Sequence, residues 1–216
     1  MPHVDPAGAP DLEVSADGKL RPLSDQLEAW LTGDGDKTVG GLVDAFGEKS
    51  FALLFLLLLA VPALPLPTGG LTHVFEIIAT LLALEMIVGR REIWLPKRWR
   101  RLELAGDRQQ RFVAGLMKLI RWFERWSRPR LRFLFHHRLS DVVYGLLVIV
   151  GSAAAFVAPP FSGLDTLPAL GVVVLSLSVL LEDFAISIVG VLISAVGIVL
   201  EIVLGAAAVH GVSSLL

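Results

Sequence analysis

The chain has 216 residues, of which 54% are apolar and 19% are charged, and its formal net charge is −2. A mean hydropathy of +0.69 excludes an ordinary soluble domain. The absence of cysteine excludes disulfides, thiol nucleophiles and cysteine metal sites.

The charges are sorted along the chain. Residues 1–49 hold ten carboxylates and four Lys or Arg, whereas residues 90–138 hold fifteen Lys or Arg and four carboxylates. No Lys or Arg follows Arg138. This sorting favours a protein framed by a membrane over a globule in water. No basic stretch followed by a short apolar run opens the chain, so we predict no cleavable signal peptide.

The first elements are predicted to be polar and short. Residues 1–22 are interpreted as a flexible acidic N-terminus, and residues 23–45 as short amphipathic helices at the membrane surface. Ser24 is predicted to cap the first of these helices, and Thr38 to begin the second.

Residues 46–88 are predicted to form a first membrane hairpin, broken by the sequence AVPALPLPTGGL (60–71). Each apolar run beside the break has about sixteen residues, which at ~1.5 Å per residue gives roughly 24 Å of helix. The hydrocarbon core is ~30 Å thick. The pair is therefore either two tilted spans or a re-entrant hairpin that turns inside the membrane.

Residues 89–138 form a basic segment that the positive-inside rule places in the cytoplasm. Aromatic residues alternate with cations in GRREIWLPKRWRR (89–101), which is typical of the lipid headgroup layer. Arg108 to Trp126 is predicted to be an amphipathic helix lying in the interface plane. The apolar neighbours argue against nucleic-acid binding. The predicted headgroup residues are Arg90, Arg91, Trp94, Lys97, Arg98 and Trp99.

Residues 141–181 are predicted to form a second broken hairpin, with PPFSG (159–163) as its break. A shift of 93 residues superposes Pro67 on Pro160 and Gly70 on Gly163. Short Pro/Gly-interrupted segments in two halves indicate an internal repeat and mark the binding site in many transporters. The alternative is two ordinary helical hairpins with proline-rich turns.

The last apolar run, residues 184–209, is predicted to be a long transmembrane helix and the one run that spans with margin. Small residues recur along it at helical spacing, so one face should pack against protein. The predicted packing face comprises Ser187, Gly190, Ser194, Gly197 and Gly205.

Three carboxylates, Glu76, Glu85 and Glu201, lie inside apolar runs, where a charge is costly and therefore needs a reason. His73 precedes Glu76 by three residues, a spacing at which a proton can be held or passed. We predict an ion or solute path at these four residues and the two breaks; the alternative is carboxyl groups that only fix helix packing. The break residues concerned are Pro65, Pro67, Gly69, Gly70, Pro159, Pro160 and Gly163.

The predicted fold class is an all-α integral membrane protein with two broken hairpins, a basic interfacial helix between them and a long C-terminal transmembrane helix. The sequence contains no HExxH, GxSxG or Walker motif. We therefore predict no enzymatic activity, no catalytic residue, no metal and no cofactor.

Two stretches carry a family resemblance, LLALEMIVGRREIWLP (81–96) and FGEKSFALLFLLLLAVPALPLPTGGL (46–71). With them, residues 23–210 resemble the ExoD family of bacterial inner-membrane proteins. The resemblance implies a link to exopolysaccharide synthesis and to growth at alkaline pH, and supplies no catalytic residues. That family usually has Gln at the position of Glu85 and a small residue at that of Glu76.

Two functions remain open from the sequence. The first is a small transporter-like protein for an ion or small anionic solute, acting as a homodimer because about five spans are few for a complete path. The alternative is an accessory protein of polysaccharide assembly that binds an anionic lipid or lipid carrier. The predicted partners of the protein are membrane lipids, a second copy of the chain and polysaccharide-assembly machinery.

Overall fold

The computed structural model describes residues 21–33, 36–64, 71–90, 93–104, 107–128, 133, 135, 137–158 and 163–213. In these ranges the regular structure is helical, as predicted, with one isolated bridge between Thr38 and Glu103. In chain order the helices are α1 (Leu23–Thr32), α2 (Val39–Phe46), α3 (Ser50–Leu59), α4 (Leu71–Val88), α5 (Lys97–Arg100), α6 (Asp107–Trp126), α7 (Arg138–Val157), α8 (Thr166–Leu181) and α9 (Phe184–Ser213).

The chain divides into two compact units. Unit 1 comprises residues 1–50 and 95–126, and unit 2 comprises residues 51–94 and 127–216. The predicted surface helices and the amphipathic helix thus belong to unit 1. Nearly all of both predicted hairpins, and the whole C-terminal helix, belong to unit 2.

Polar contacts join α1 to α6 in unit 1. The backbone N–H and the hydroxyl of Ser24 both donate to the Glu124 carboxylate, over 2.9 and 2.5 Å. The prediction that Ser24 caps α1 is therefore wrong. The helix begins at Leu23, two residues earlier than predicted, and the Ser24 hydroxyl makes a tertiary contact instead.

Helix α2 begins where the sequence predicts and ends at a glycine. The Thr38 hydroxyl accepts a bond from the Gly41 N–H over 3.1 Å, which confirms an N-cap at this threonine. Gly47 has a φ of +51°, a conformation that ends a helix readily only at glycine. A short 3-10 turn, Gly47–Lys49, then leads into α3, so the first apolar helix begins at Ser50.

The apolar face of α6 is covered by protein. Val113, Leu116, Met117 and Ile120 are all buried, and α6 packs against α1. An apolar stripe of this width can face either lipid or a core, and periodicity alone does not distinguish the two. Outside this buried stripe α6 is exposed, and its exposed residues include Arg111, Lys118, Arg121, Trp122, Arg125 and Trp126.

Unit 2 is a row of antiparallel helices in the order α4, α7, α8, α9. The last turn of α4 meets the first half of α7, where a methyl group built on Gly145 would lie 2.7 Å from Ile87 Cγ1. The first turn of α4 meets the end of α7, where the rings of His73 and Phe156 are 5.2 Å apart. Between α7 and α8, Tyr144 Oη and Ser176 Oγ are 3.0 Å apart.

Glycines bring α8 and α9 into close contact. A Cβ built on Gly171 would lie 2.8 Å from the Gly190 carbonyl oxygen and 2.0 Å from Ser194 Oγ. Any larger residue at Gly171 must separate the two backbones. Helix α8 is buried along almost its whole length, so it forms the core of unit 2.

The outer faces of α4, α7 and α9 are apolar and exposed. In the part of the chain that the structure describes, Arg138–Val157 and Phe184–Ala207 are long and apolar enough to cross a membrane. The sequence predicts that only the last apolar run is long enough to cross a membrane with margin. Helix α7 is also long enough, because it begins at Arg138, before the predicted start of the apolar run at residue 141. The exposed apolar residues of these three helices include Val74, Ile77, Leu81, Leu84, Val88, Val143, Leu146, Val150, Val157, Ile188, Leu192, Val196, Val199 and Val203.

The two predicted hairpins differ in how they pack. Helices α7 and α8 of the second hairpin lie against one another, whereas α4 of the first packs mainly on α7 of the second. Phe55 of α3 also reaches the second hairpin, with its ring 5.8 Å from that of Tyr144. The internal repeat and the re-entrant turn therefore stay predictions.

Candidate functional site

The site centres on a buried carboxylate near the start of α4. Glu76 is fully buried, and one of its oxygens, Oε2, lies 2.9 Å from Nδ1 of His73. The two residues are three apart on the helix, so the α-helical repeat alone brings their side chains together. Thr80 lies one turn further on and its hydroxyl donates to the Glu76 carbonyl oxygen over 2.9 Å.

The other carboxylate oxygen of Glu76, Oε1, has no hydrogen-bond partner among the described residues. The hydroxyl of Ser152 on α7 is likewise buried and without one. Ser152 follows Gly145 by seven residues and Glu76 precedes Ala83 by seven, while Gly145 lies against Ala83. Antiparallel register therefore places the two unsatisfied groups at one level of the α4–α7 interface.

Two further carboxylates lie at the same end of unit 2. Asp165, the N-cap residue of α8, is close enough to act electrostatically on the carboxyl groups of both Glu76 and Glu201. Glu201 on α9 also has a buried oxygen without a partner in the described ranges. We call the end of unit 2 that holds Glu76, Asp165 and Glu201 the acidic end.

The acidic end is also where the flanks of the two breaks meet. The ring contact between His73 and Phe156 joins a residue two positions after the first break to one three positions before the second. Gly163 closes the second break, exposed and with a φ of +69°. The remaining predicted break residues lie outside the described residues; these are Pro65, Pro67, Gly69, Gly70, Pro159 and Pro160.

Glu85 lies at the opposite end of α4, away from this cluster. Its Oε2 accepts a bond from the Trp94 N–H over 2.9 Å, and its Oε1 lies 3.8 Å from Nη1 of Arg90. We call this end of unit 2, where α4 and α8 end and α7 and α9 begin, the capped end. Arg138 bonds the Ile87 carbonyl oxygen here over 2.8 Å.

Asp183 caps α9 at the same end. Its carboxylate accepts bonds from the N–H of Ala185 over 3.0 Å and from the N–H of Arg128 over 2.8 Å. The Ser127 hydroxyl adds a longer contact of 3.3 Å. Asp183 is almost fully buried, and each of its contacts satisfies a group that a helix start or a loop would otherwise leave unpaired.

The predicted packing face of α9 lies against α8 over most of its length. Gly190, Ser194 and Gly197 are buried, and the Ser187 hydroxyl is 2.7 Å from that of Ser178. Gly205 has open space where a side chain would be. The stripe therefore continues past the part of α9 that α8 covers.

The predicted headgroup residues are exposed wherever the structure describes them, with one exception. Arg90, Trp94, Lys97 and Arg98 are exposed, Trp99 is half-buried, and Arg91 lies outside the described residues. Arg90 and Trp94 belong to unit 2, and Lys97, Arg98 and Trp99 belong to unit 1. Each unit thus carries an exposed cation close in sequence to a tryptophan.

Sequence reasoning missed Asp165 and Ser152. Asp165 lies two residues after the second break, so its position was a usable signal, but an acidic residue after a turn is common. Ser152 is one small polar residue in an apolar helix, and only its seven-residue spacing from Gly145 links it to the α4 side of α7. Both residues matter because of tertiary contacts.

The acidic end is suited to binding protons or cations. A buried carboxyl group with one free oxygen, a histidine on its other oxygen and two further carboxyl groups nearby form an acidic, partly unsatisfied cluster. In the described residues no group of three His, Asp or Glu has the geometry of a metal site. The chemistry that fits is uptake and release of a proton or a hydrated small cation.

Comparison with known proteins gives a family and two relatives. The family described as "Exopolysaccharide synthesis, ExoD" matches residues 23–203. The ExoD protein of Rhizobium meliloti is 29% identical over 166 residues, covering 76% of this chain and 69% of the relative. The slr1875 protein of Synechocystis sp. is 28% identical over 147 residues, covering 68% of each chain. No solved structure matches this chain.

Proposed function

Because the chain belongs to the ExoD family, which is linked to exopolysaccharide synthesis, we propose that it is a multi-pass protein of the bacterial inner membrane that moves a proton or small cation. The acidic end of unit 2 is the proposed site of that movement. Carboxylates there favour a cation over the anionic solute that the sequence left open.

The surface of unit 2 supports insertion into a membrane. Its outer helices expose apolar side chains at helical spacing, as Val74, Ile77, Leu81 and Leu84 do on α4. Soluble monomers rarely expose apolar patches of this extent. The polar groups of the same helices point inward, which is the arrangement that lipid requires.

The unpartnered oxygen of Glu76 carries the ion-handling proposal. Leaving a buried carboxyl oxygen without a partner costs on the order of 1–3 kcal/mol, which a purely structural residue would not be expected to retain. A water molecule or an ion between Glu76 and Ser152 would satisfy both groups. His73 then holds or releases a proton on the other side of the carboxylate.

We also propose that the protein forms a homodimer through the end of α9. The end of α9 beyond Glu201 exposes Ile202, Val203 and Leu204 together with the open Gly205. A small residue among apolar ones lets two transmembrane helices approach closely. Replacing Gly205 by Leu should lower the dimer fraction in detergent, measured by light scattering, without unfolding the protomer.

The experiment is ion flux in a reconstituted system. The full-length protein is inserted into lipid vesicles that contain a pH-sensitive dye, and a pH or Na⁺ gradient is imposed. We expect the internal pH to change faster than in protein-free vesicles. If no flux is found for protons or any small cation tested, the transport function is wrong.

The exposed cations of the basic segment favour a second function, an accessory protein that binds anionic lipid or a lipid carrier for the polysaccharide-assembly machinery. Arg90, Lys97 and Arg98 are all exposed in the described residues. Native mass spectrometry should then show bound anionic lipid that is lost when these three become Gln. Retention of the lipid by the triple variant would exclude this segment as its binding site.

A further inference from the structure

Unit 1 contains a groove between α1 and α6 with a volume of 980 Å³. All of its lining belongs to unit 1, so the groove is formed within that unit. Its lining includes Glu28, Lys118, Leu119, Arg121, Trp122 and Arg125. We call it the α1–α6 groove.

The α1–α6 groove is apolar along its floor and cationic along one wall. Lys118, Arg121 and Arg125 are three or four residues apart on α6, so they form one column along the groove. Arg121 contacts the Glu28 carboxylate. No carboxylate in the described ranges lies within ion-pair distance of Lys118 or Arg125, so the wall keeps a net positive charge.

The middle of the groove is open. A side chain built on Gly115 would meet no atom within 4 Å. Beyond it, Trp122 and Trp126 at the end of α6 are 55% and 75% exposed. Tryptophan beside Lys and Arg at the edge of an apolar surface is typical of contact with the lipid headgroup layer.

We infer that the α1–α6 groove binds one anionic phospholipid, with its phosphate on Lys118 and Arg125 and an acyl chain along Leu119 and Trp122. The positive wall complements the phosphate. The acyl chain would cover the apolar floor of the groove, whereas a free anion would leave that floor exposed to water. This lipid site does not depend on ion transport by unit 2. It is also distinct from the exposed cations of the basic segment near Trp94 in the sequence.

The test uses the full-length protein in nanodiscs of phosphatidylcholine with or without phosphatidylglycerol. Affinity for phosphatidylglycerol is measured by native mass spectrometry. Replacing Lys118 or Arg125 by Gln should weaken it roughly fivefold each, the value of one cation near an anionic surface. The matched control is Arg111→Gln, because Arg111 is exposed on the same face but does not line the groove.

Two further variants separate lipid binding from a folding defect. Glu28→Gln removes the negative charge opposite Arg121 and should strengthen phosphatidylglycerol binding, an effect that damage to the fold does not produce. Gly115→Leu fills the groove without a charge change and should weaken binding while improving helix propensity by about 1 kcal/mol. Circular dichroism checks that each variant keeps its helix content.

Several outcomes would overturn the lipid site. One is equal affinity of the wild type and the Lys118→Gln, Arg125→Gln double variant for phosphatidylglycerol. Another is weaker binding by Glu28→Gln. A third is displacement of the lipid by soluble glycerol phosphate at similar concentration, since the groove would then recognise phosphate without an acyl chain. Displacement by an acidic peptide instead would assign the groove to a protein partner.

Discussion

The acidic end and the capped end of unit 2 differ in whether their buried polar groups have hydrogen-bond partners. At the acidic end, Glu76, Ser152 and Glu201 each have a buried oxygen without a partner among the described residues. At the capped end, Glu85 and Asp183 accept backbone N–H bonds of 2.8–3.0 Å. Helix α4 contributes a glutamate to each end.

The difference shows what each end contributes. Satisfied polar groups stabilise helix ends and loops, and they need nothing from outside the protein. Unsatisfied buried groups cost stability unless water, an ion or a proton completes them. The capped end therefore explains stability, and the acidic end is where binding is expected.

The largest expected effect is on ion flux. Replacing Glu76 by Gln removes the proton-binding oxygen but keeps the side-chain volume. Flux in reconstituted vesicles should fall on the order of a hundredfold, the lower range for a positioned proton-transfer group. The matched variant is Glu85→Gln on the same helix, whose amide oxygen still accepts from the Trp94 N–H, and its flux should stay close to wild type.

Equal flux in the two variants would contradict the distinction between the ends. If Glu76→Gln transports normally, Glu76 only fixes helix packing. If Glu85→Gln is as defective as Glu76→Gln, the path includes both ends of α4. Equal amounts of folded protein in the vesicles are verified by gel filtration before reconstitution.

The next effect is on stability at the capped end. Asp183→Ala removes the α9 cap and leaves the Arg128 N–H without its acceptor. We expect a loss of about 2 kcal/mol in the free energy of unfolding, measured in mixed detergent micelles. Asp183→Asn retains an acceptor oxygen at the cap and should lose less. Equal losses for Ala and Asn would show that charge matters more than the cap.

The smallest effects compare two hydroxyls on α7. Tyr144→Phe removes the bond to Ser176 and should cost about 1 kcal/mol of unfolding free energy in the same assay. Ser152→Ala removes a hydroxyl that has no partner among the described residues and should change stability by less than about 0.5 kcal/mol. A loss of stability for Ser152→Ala as large as that for Tyr144→Phe would show that the Ser152 hydroxyl makes a hydrogen bond. Ser152 would then no longer count as an unsatisfied group of the acidic end.

Several local features could be predicted because their causes are local. Thr38 caps α2 through a bond three residues along, and His73 meets Glu76 through one helical turn. The helix over residues 108–126 follows from its apolar period, and the structure starts it at Asp107. Ser24 failed as a cap because Glu124, a hundred residues away, competes for its hydroxyl.

The sequence by itself determined the helical class, the family resemblance and the costly carboxylates inside apolar runs. It could not separate Glu76 from Glu85, since both interrupt α4 in the same way. Tertiary structure decided that question: antiparallel packing brings Asp165 and Glu201 toward Glu76, while the loop after α4 returns the Trp94 N–H to Glu85. Burial and hydrogen-bond satisfaction depend on neighbours far along the chain, and a pattern of residue types does not contain them.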